Sequence, residues 1–142
     1  MKVITLIQPW ATLIALGEKT IETRSWSTNY RGTIAIHAGK KIDKSVFNLP
    51  YYKEIFLENN ITADNIITSS IICTCDIADV KPTEELISII SEKEIVFGNY
   101  SPDRFGWILN NIKPITPPIT KVKGMLGFWN YKVISFASGD FF

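Results

Sequence analysis

Short runs of alternating, β-branched residues recur along this chain, and they never fall into a regular strand–helix–strand rhythm. That feature argues against the doubly wound and other parallel-sheet folds, which need a long, usually helical crossover between neighbouring strands. Lys2 to Ile7 is the first such run. Thr20 to Ser25 alternates, with Ile21 and Thr23 on one face and Thr20, Glu22 and Arg24 on the other, which Trp26 extends. Thr33 to Ala38 sets Ile34 and Ile36 against Ala35 and His37. A strand pair is expected from Ser70 to Val80, with further strands over Phe105 to Ile112 and Phe128 to Phe136. Pro114, Pro117 and Pro118 predict an extended connection between the last two.

Helical signals are few. Gln8-Pro9-Trp10 starts the first, with proline at the first helical position and Gly17 as the stop. This helix is about two turns long, so tertiary packing must hold it. Asp43 to Asn60 reads as helical, broken or kinked by Pro50. Thr83 to Ser91 reads as a helix with Thr83 near its N-cap and two glutamates in its first turn. Strands outnumber helices, which predicts an α+β chain: a mixed, curled sheet or small β-barrel with helices at its rim. The dinucleotide fingerprint G-x-G-x-x-G and the phosphate loop G-x-x-x-x-G-K-[ST] are both absent. With 142 residues, no repeat and no long linker, a single domain over residues 1–142 is expected.

The formal net charge is +1, so no global field draws the protein onto nucleic acid and any basic site must be local. That weighs against a dedicated duplex binder. Cys73 and Cys75 point to the same face of a strand, and no second Cys/His pair accompanies them. They read as small core residues, so no metal and no cofactor is expected. No apolar run reaches the length of a membrane span. Met1-Lys2 leads straight into strand-like sequence without a signal peptide, so an intracellular, cytoplasmic location is expected.

The densest polar cluster runs from Gly17 to Arg24. Glu22 and Arg24 share a strand face and can pair or hold a common ligand. Arg31 and His37 follow in the next hairpin, and Lys40 and Lys41 close it. Lys19, Arg24, Arg31, Lys40 and Lys41 are therefore candidate cations, and Trp10, Trp26 and Tyr30 candidate stacking surfaces. Rings stack on bases while Arg and Lys neutralise phosphate, so the mixture suits a nucleotide or a short single strand. The bland alternative is the solvated face of a half-exposed sheet.

Three groups of residues carry a family resemblance. They are Gln8-Pro9-Trp10-Ala11, then Gly17-x-Lys19-x-x-Glu22-x-Arg24-x-Trp26, then Tyr30-Arg31-Gly32 with Ile36-His37-Ala38. With Gly106-Trp107-Ile108-Leu109 and Gly124-Met125-Leu126-Gly127-Phe128-Trp129, they resemble the ASCH (activating signal cointegrator homology) domain, whose hallmark is G-x-K-x-x-E-x-R. The resemblance implies a PUA-like β-barrel with a cleft beside the first helix, and binding of RNA, single-stranded nucleic acid or a modified nucleoside. It assigns Lys19, Glu22 and Arg24 to that cleft, followed by Trp10, Tyr30, Arg31 and His37.

The resemblance also implies two hydrolase alternatives. Some ASCH-like proteins are amidohydrolases on acetylated cytidine, using the motif lysine, a threonine where this chain has Glu22, and a distant glutamate. Glu22 removes that hydroxyl, and alternation turns Thr23 to the other face. A metal-independent ribonuclease would need a base and a charge-stabilising cation: His37 is the candidate base and Lys19 and Arg24 the candidate cations, so the catalytic candidates of a hydrolase are Lys19 with Glu22 or His37. A protein–protein adaptor with an inert cleft is the third alternative.

Trp107 and Trp129 read as packing. Arg104 either reaches the cleft or is solvated, and Tyr51-Tyr52 either cover the cleft or pack a helix. The tail from Ser135 to Phe142 is expected to dock on the body or mediate self-association.

Overall fold

The strand-forming runs join one six-stranded sheet. The structure, a computed structural model, describes residues 1–132. Its strands are β1 (Lys2–Gln8), β2 (Ile21–Arg24), β3 (Gly32–Ile42), β4 (Ser70–Pro82), β5 (Phe105–Ile119) and β6 (Phe128–Asn130). They lie in the order β2-β5-β4-β3-β1-β6. Among the described residues only β1 and β3 are parallel, and every other ladder is antiparallel.

Alternation along the central strands splits the core in two. Ile34 and Ile36 join Ile4, Leu6, Cys73, Cys75, Ile77 and Trp107 on one side, with Ala11 and Ile14 from the first helix. Ala35 turns the other way, to Val3, Ile71, Val122 and Trp129. β3 is thus buried on both faces, as a near-continuous apolar run demands. Trp107 and Trp129 are core residues, as expected.

The expected closed barrel is not drawn by the backbone ladder. β2 and β6 stand at its two ends. Side chains bridge part of that gap: Trp26, just beyond β2, meets Phe128 of β6 edge-on at 5.5 Å. The expected strand pair over 70–80 is one continuous strand with register shifts along its pairing with β5. Pro114, Pro117 and Pro118 do not form a separate connection, because β5 runs through them. β2 covers only Phe105–Ile108 of β5. Beyond that, one side of β5 is an edge, where a missing N–H costs little. β6 stops at Asn130, so Tyr131 and Lys132 are not in the strand expected to Phe136, and the remainder of that strand, with the 135–142 tail, lies outside the described residues.

Helices are shorter than the sequence suggests. α1 (Trp10–Ala15) has Pro9 at its N-cap, not inside the first turn. Gln8 makes the capping bond: its Oε1 accepts from the Thr12 amide at 3.0 Å, and its Nε2 donates to Thr12 Oγ1 and to the Ile67 carbonyl. Gly17 ends the turn at φ +77° with open space where a Cβ would be, so backbone angle rather than crowding calls for glycine. The 43–60 segment is a 3₁₀ turn at Lys44–Val46, a bend through Pro50, and α2 (Tyr52–Glu58). α3 (Thr83–Leu86) is a single turn. Pro82 is its N-cap and Thr83 its first residue, next to the cap as expected, with the Thr83 hydroxyl donating to the Ser101 carbonyl at 2.9 Å. α4 (Glu92–Val96) was not expected, although Ser91 and Glu94 stand at capping-box spacing. Ser91 Oγ does accept from the Glu94 amide.

Candidate functional site

The order of the strands leaves an open cleft of about 1270 Å³ beside α1. Its walls come from β1, β2 and its exit, the end of β3, residues 96–99, Arg104, and the loop 121–127. Among the described residues Arg24, Lys40, Lys41, Arg104, Lys121 and Lys123 line it, against a single carboxylate, Glu22. A chain of net charge +1 therefore concentrates cations in one concavity.

The motif residues divide into a buried brace and an exposed face. Lys19 does not line the cleft. It is 1% exposed, and its ammonium donates to the Ile21 carbonyl at 2.5 Å and to the Phe97 carbonyl at 2.9 Å. Glu22 Oε1 stands 3.8 Å away. Burial pulls the Lys19 pKa below its usual 10.5, while the Glu22 and Glu94 carboxylates oppose that shift. Glu94 grips the start of β2 by accepting from the Thr20 amide and hydroxyl and from the Ile21 amide. Lys19 and Glu94 together tie β2 to the segment that forms the opposite wall.

Alternation along β2 then aims Glu22 and Arg24 into the cleft while Ile21 and Thr23 are buried. Arg24 Nη1 donates to Glu22 Oε2 at 3.3 Å, and its guanidinium lies over the Trp26 ring at 5.6 Å. Trp10 lines the same cleft, with its Nε1 donating to Tyr52 Oη at 3.2 Å. Tyr52 also faces the cleft, whereas Tyr51 turns to Glu92. Arg104 is held by the carbonyls of Asn99 and Thr23.

His37 reaches the cleft floor with both ring nitrogens occupied. Nε2 lies 2.7 Å from the Val122 carbonyl, which can only accept, so Nε2 carries the proton. Nδ1 then accepts from Thr5 Oγ1 at 3.1 Å, and Thr5 in turn accepts from Trp129 Nε1. A Cβ on Gly124 would fall 2.6 Å from Thr5 Oγ1 and 2.9 Å from the His37 ring, so glycine lets the 121–127 loop settle on this network. Burial lowers the His37 pKa below 6.5, against a raising contribution from the Val122 bond. Below pH 6.5 the unfolded chain accordingly takes up a proton that the folded protein refuses. Stability should fall with pH in that range, by at most about 1.4 kcal/mol per unit from this group. His37→Gln, which keeps a donor and an acceptor, is expected to flatten that part of a melting-temperature profile taken from about pH 7.5 to about pH 5.5.

Tyr30 and Arg31 stand outside the cleft. Tyr30 Oη donates to the Thr33 carbonyl, and Lys2 Nζ sits 4.8 Å from the centre of its ring. Arg31 donates to the carbonyls of Thr28 and Tyr30 and pairs with Asp79 at 3.4 Å. Sequence reading missed Lys121 and Lys123, whose signal is the alternation around buried Val122. Burial pushes the Cys73 and Cys75 thiols up to about 12, which leaves them unreactive core groups. Among the described residues no three His, Cys, Asp or Glu side chains gather to hold a metal ion, and no helix is long and apolar enough to cross a membrane.

Known proteins place this geometry in a family. Among solved structures, the crystal structure of ASCH from Zymomonas mobilis superposes with a TM-score of 0.51 at 19% identity, covering 84% of this chain and 72% of that one. A tyrosine-to-phenylalanine mutant of the Zymomonas mobilis protein gives a TM-score of 0.50 at 19% identity, covering 84% and 74% of the two chains. A serine-to-alanine mutant gives 0.50 at 19%, covering 84% and 73%. At that identity the likeness is one of fold. No curated protein matches the chain. The family model for the ASCH domain matches residues 4–119, which runs from within β1 to the end of β5 and takes in the whole G-x-K-x-x-E-x-R motif, and the chain belongs to the ASCH domain family.

Proposed function

We propose that this protein is a binding module for single-stranded RNA or a nucleotide, held in the cleft beside α1. The observation that carries the reading is the lining: two arginines and four lysines surround one carboxylate, with Trp10 and Trp26 as flat apolar surfaces between them. Cations neutralise phosphates and aromatic rings stack on bases, which is how single strands are held without a duplex groove. A concave site also suits a flexible strand better than a rigid double helix. The family relationship supports an RNA-related ligand, and the bridging of β2 and β6 by aromatic side chains supports a PUA-like barrel closed by packing.

Binding is favoured over hydrolysis by the state of the two candidate catalytic groups. The Lys19 ammonium is enclosed by carbonyl acceptors and a carboxylate. Both nitrogens of His37 already hold hydrogen bonds, and its lowered pKa makes it a weak base. Titrating the protein with a labelled RNA hexamer and with a blunt duplex of the same sequence tests the reading. The hexamer is expected to bind at least tenfold tighter at about 0.1 M salt and to be recovered uncleaved. Equal or tighter binding of the duplex, or no binding of either, would overturn it, and cleavage of the hexamer would move the protein to the hydrolase class.

A further inference from the structure

Phosphate binding alone leaves Glu22 without a purpose. Among the described residues it is the only carboxylate on a wall otherwise rich in cations, and it repels the phosphates those cations attract. Lys19 does not depend on it alone, because that ammonium already donates to two carbonyls and also feels the Glu94 carboxylate. Glu22 is nevertheless held in place. Arg24 donates to its Oε2 at 3.3 Å, while Lys19 sits 3.8 Å from Oε1, beyond hydrogen-bond reach. Oε1 accepts no hydrogen bond among the described residues, and the side chain, 12% exposed, lines the cleft. A fixed, partly buried carboxylate oxygen with spare acceptor capacity calls for a donor from the ligand.

We infer that Glu22 reads the base: its free oxygen accepts an N–H from the exocyclic amine of a nucleobase in the cleft, so the site selects amino-bearing bases over their keto counterparts. The inference rests on the nucleic-acid reading above. Phosphate oxygens repel this carboxylate and ribose hydroxyls donate to it whatever the base, whereas the amines of adenine and cytosine present N–H groups at the base edge. In hypoxanthine and uracil the ring N–H lies directly beside a carbonyl oxygen, which would be brought against the same carboxylate. Arg24, fixed beside Glu22, is placed to donate to the neighbouring ring nitrogen of the amino-bearing base.

The test compares hexamers that differ only at that edge, adenosine against inosine and cytidine against uridine, by direct titration. The wild-type protein is expected to prefer the amino-bearing member of each pair by at least about tenfold, the scale of one charge-assisted hydrogen bond. Glu22→Gln, whose amide can also donate to a carbonyl, is expected to bring both ratios within about twofold of one or to invert them. Glu22→Asp, which keeps the charge but retracts it, is expected to keep the direction of preference at reduced size. Equal wild-type affinities within each pair, or an unchanged ratio in Glu22→Gln, would overturn base reading and leave nucleic-acid binding standing. Failure of all four hexamers to bind would overturn both.

Discussion

Replacing Lys19 by alanine is expected to lower the unfolding free energy by about 3–5 kcal/mol, the scale seen when one partner of a buried ion pair is removed. The change strands several groups at once. The Ile21 and Phe97 carbonyls lose a donor, and the Glu22 and Glu94 carboxylates lose the cation between them. Lys19→Met keeps the apolar stem without the charge, and it should recover little of the loss if unpaired polar groups rather than a cavity set the cost. Denaturant unfolding at neutral pH measures both variants. A loss below about 1 kcal/mol for Lys19→Ala would show that water satisfies these groups and that the brace is dispensable. The consequence for binding assays is direct: weakened RNA binding by a Lys19 variant would report a displaced β2, because this side chain does not line the cleft.

Changing Lys40, Lys41, Lys121 and Lys123 together to glutamine should have the opposite profile. All four are exposed, so stability should move by no more than about 0.5 kcal/mol per site. Affinity for an RNA hexamer should fall by about two to three orders of magnitude, since each lost phosphate contact contributes about 1 kcal/mol. The salt dependence should fall as well. With the four lysines and Arg104 engaged on the five phosphates of the hexamer, the slope of log affinity against log salt is about −3.5 for a single strand, and with only Arg104 left it is about −0.7. An unchanged slope would place the RNA elsewhere on the protein.

Much of the site was legible in the order of residues because strand periodicity is local. The two-residue spacing of Glu22 and Arg24 was enough to place both on one face, and β2 presents them that way to the cleft. The same rule separates Ile34 and Ile36 from Ala35. Lys19 misleads for the same reason. A lysine in a polar run reads as a surface cation, and only the approach of the chain at Phe97, 78 residues away, encloses it. Tyr30 and Arg31 sit close to the motif in sequence, yet their hydrogen bonds to Thr33, Thr28 and Asp79 take them out of the cleft. Lys121 and Lys123 are far along the chain, yet the His37–Val122 bond brings their loop onto the cleft floor.

The sequence by itself determined the kind of chain this is. Alternation, turn residues and the G-x-K-x-x-E-x-R spacing are properties of neighbours, and they were enough for an α+β sheet protein, its family and the strand face that Glu22 and Arg24 share. Only the tertiary structure decided which charges are buried and which converge. Burial and long-range pairing depend on segments that meet across the sheet, so the enclosure of Lys19, the occupied ring of His37, the places of β2 and β6 at the two ends of the sheet, and the gathering of six cations around Glu22 follow from strand order rather than from any local pattern.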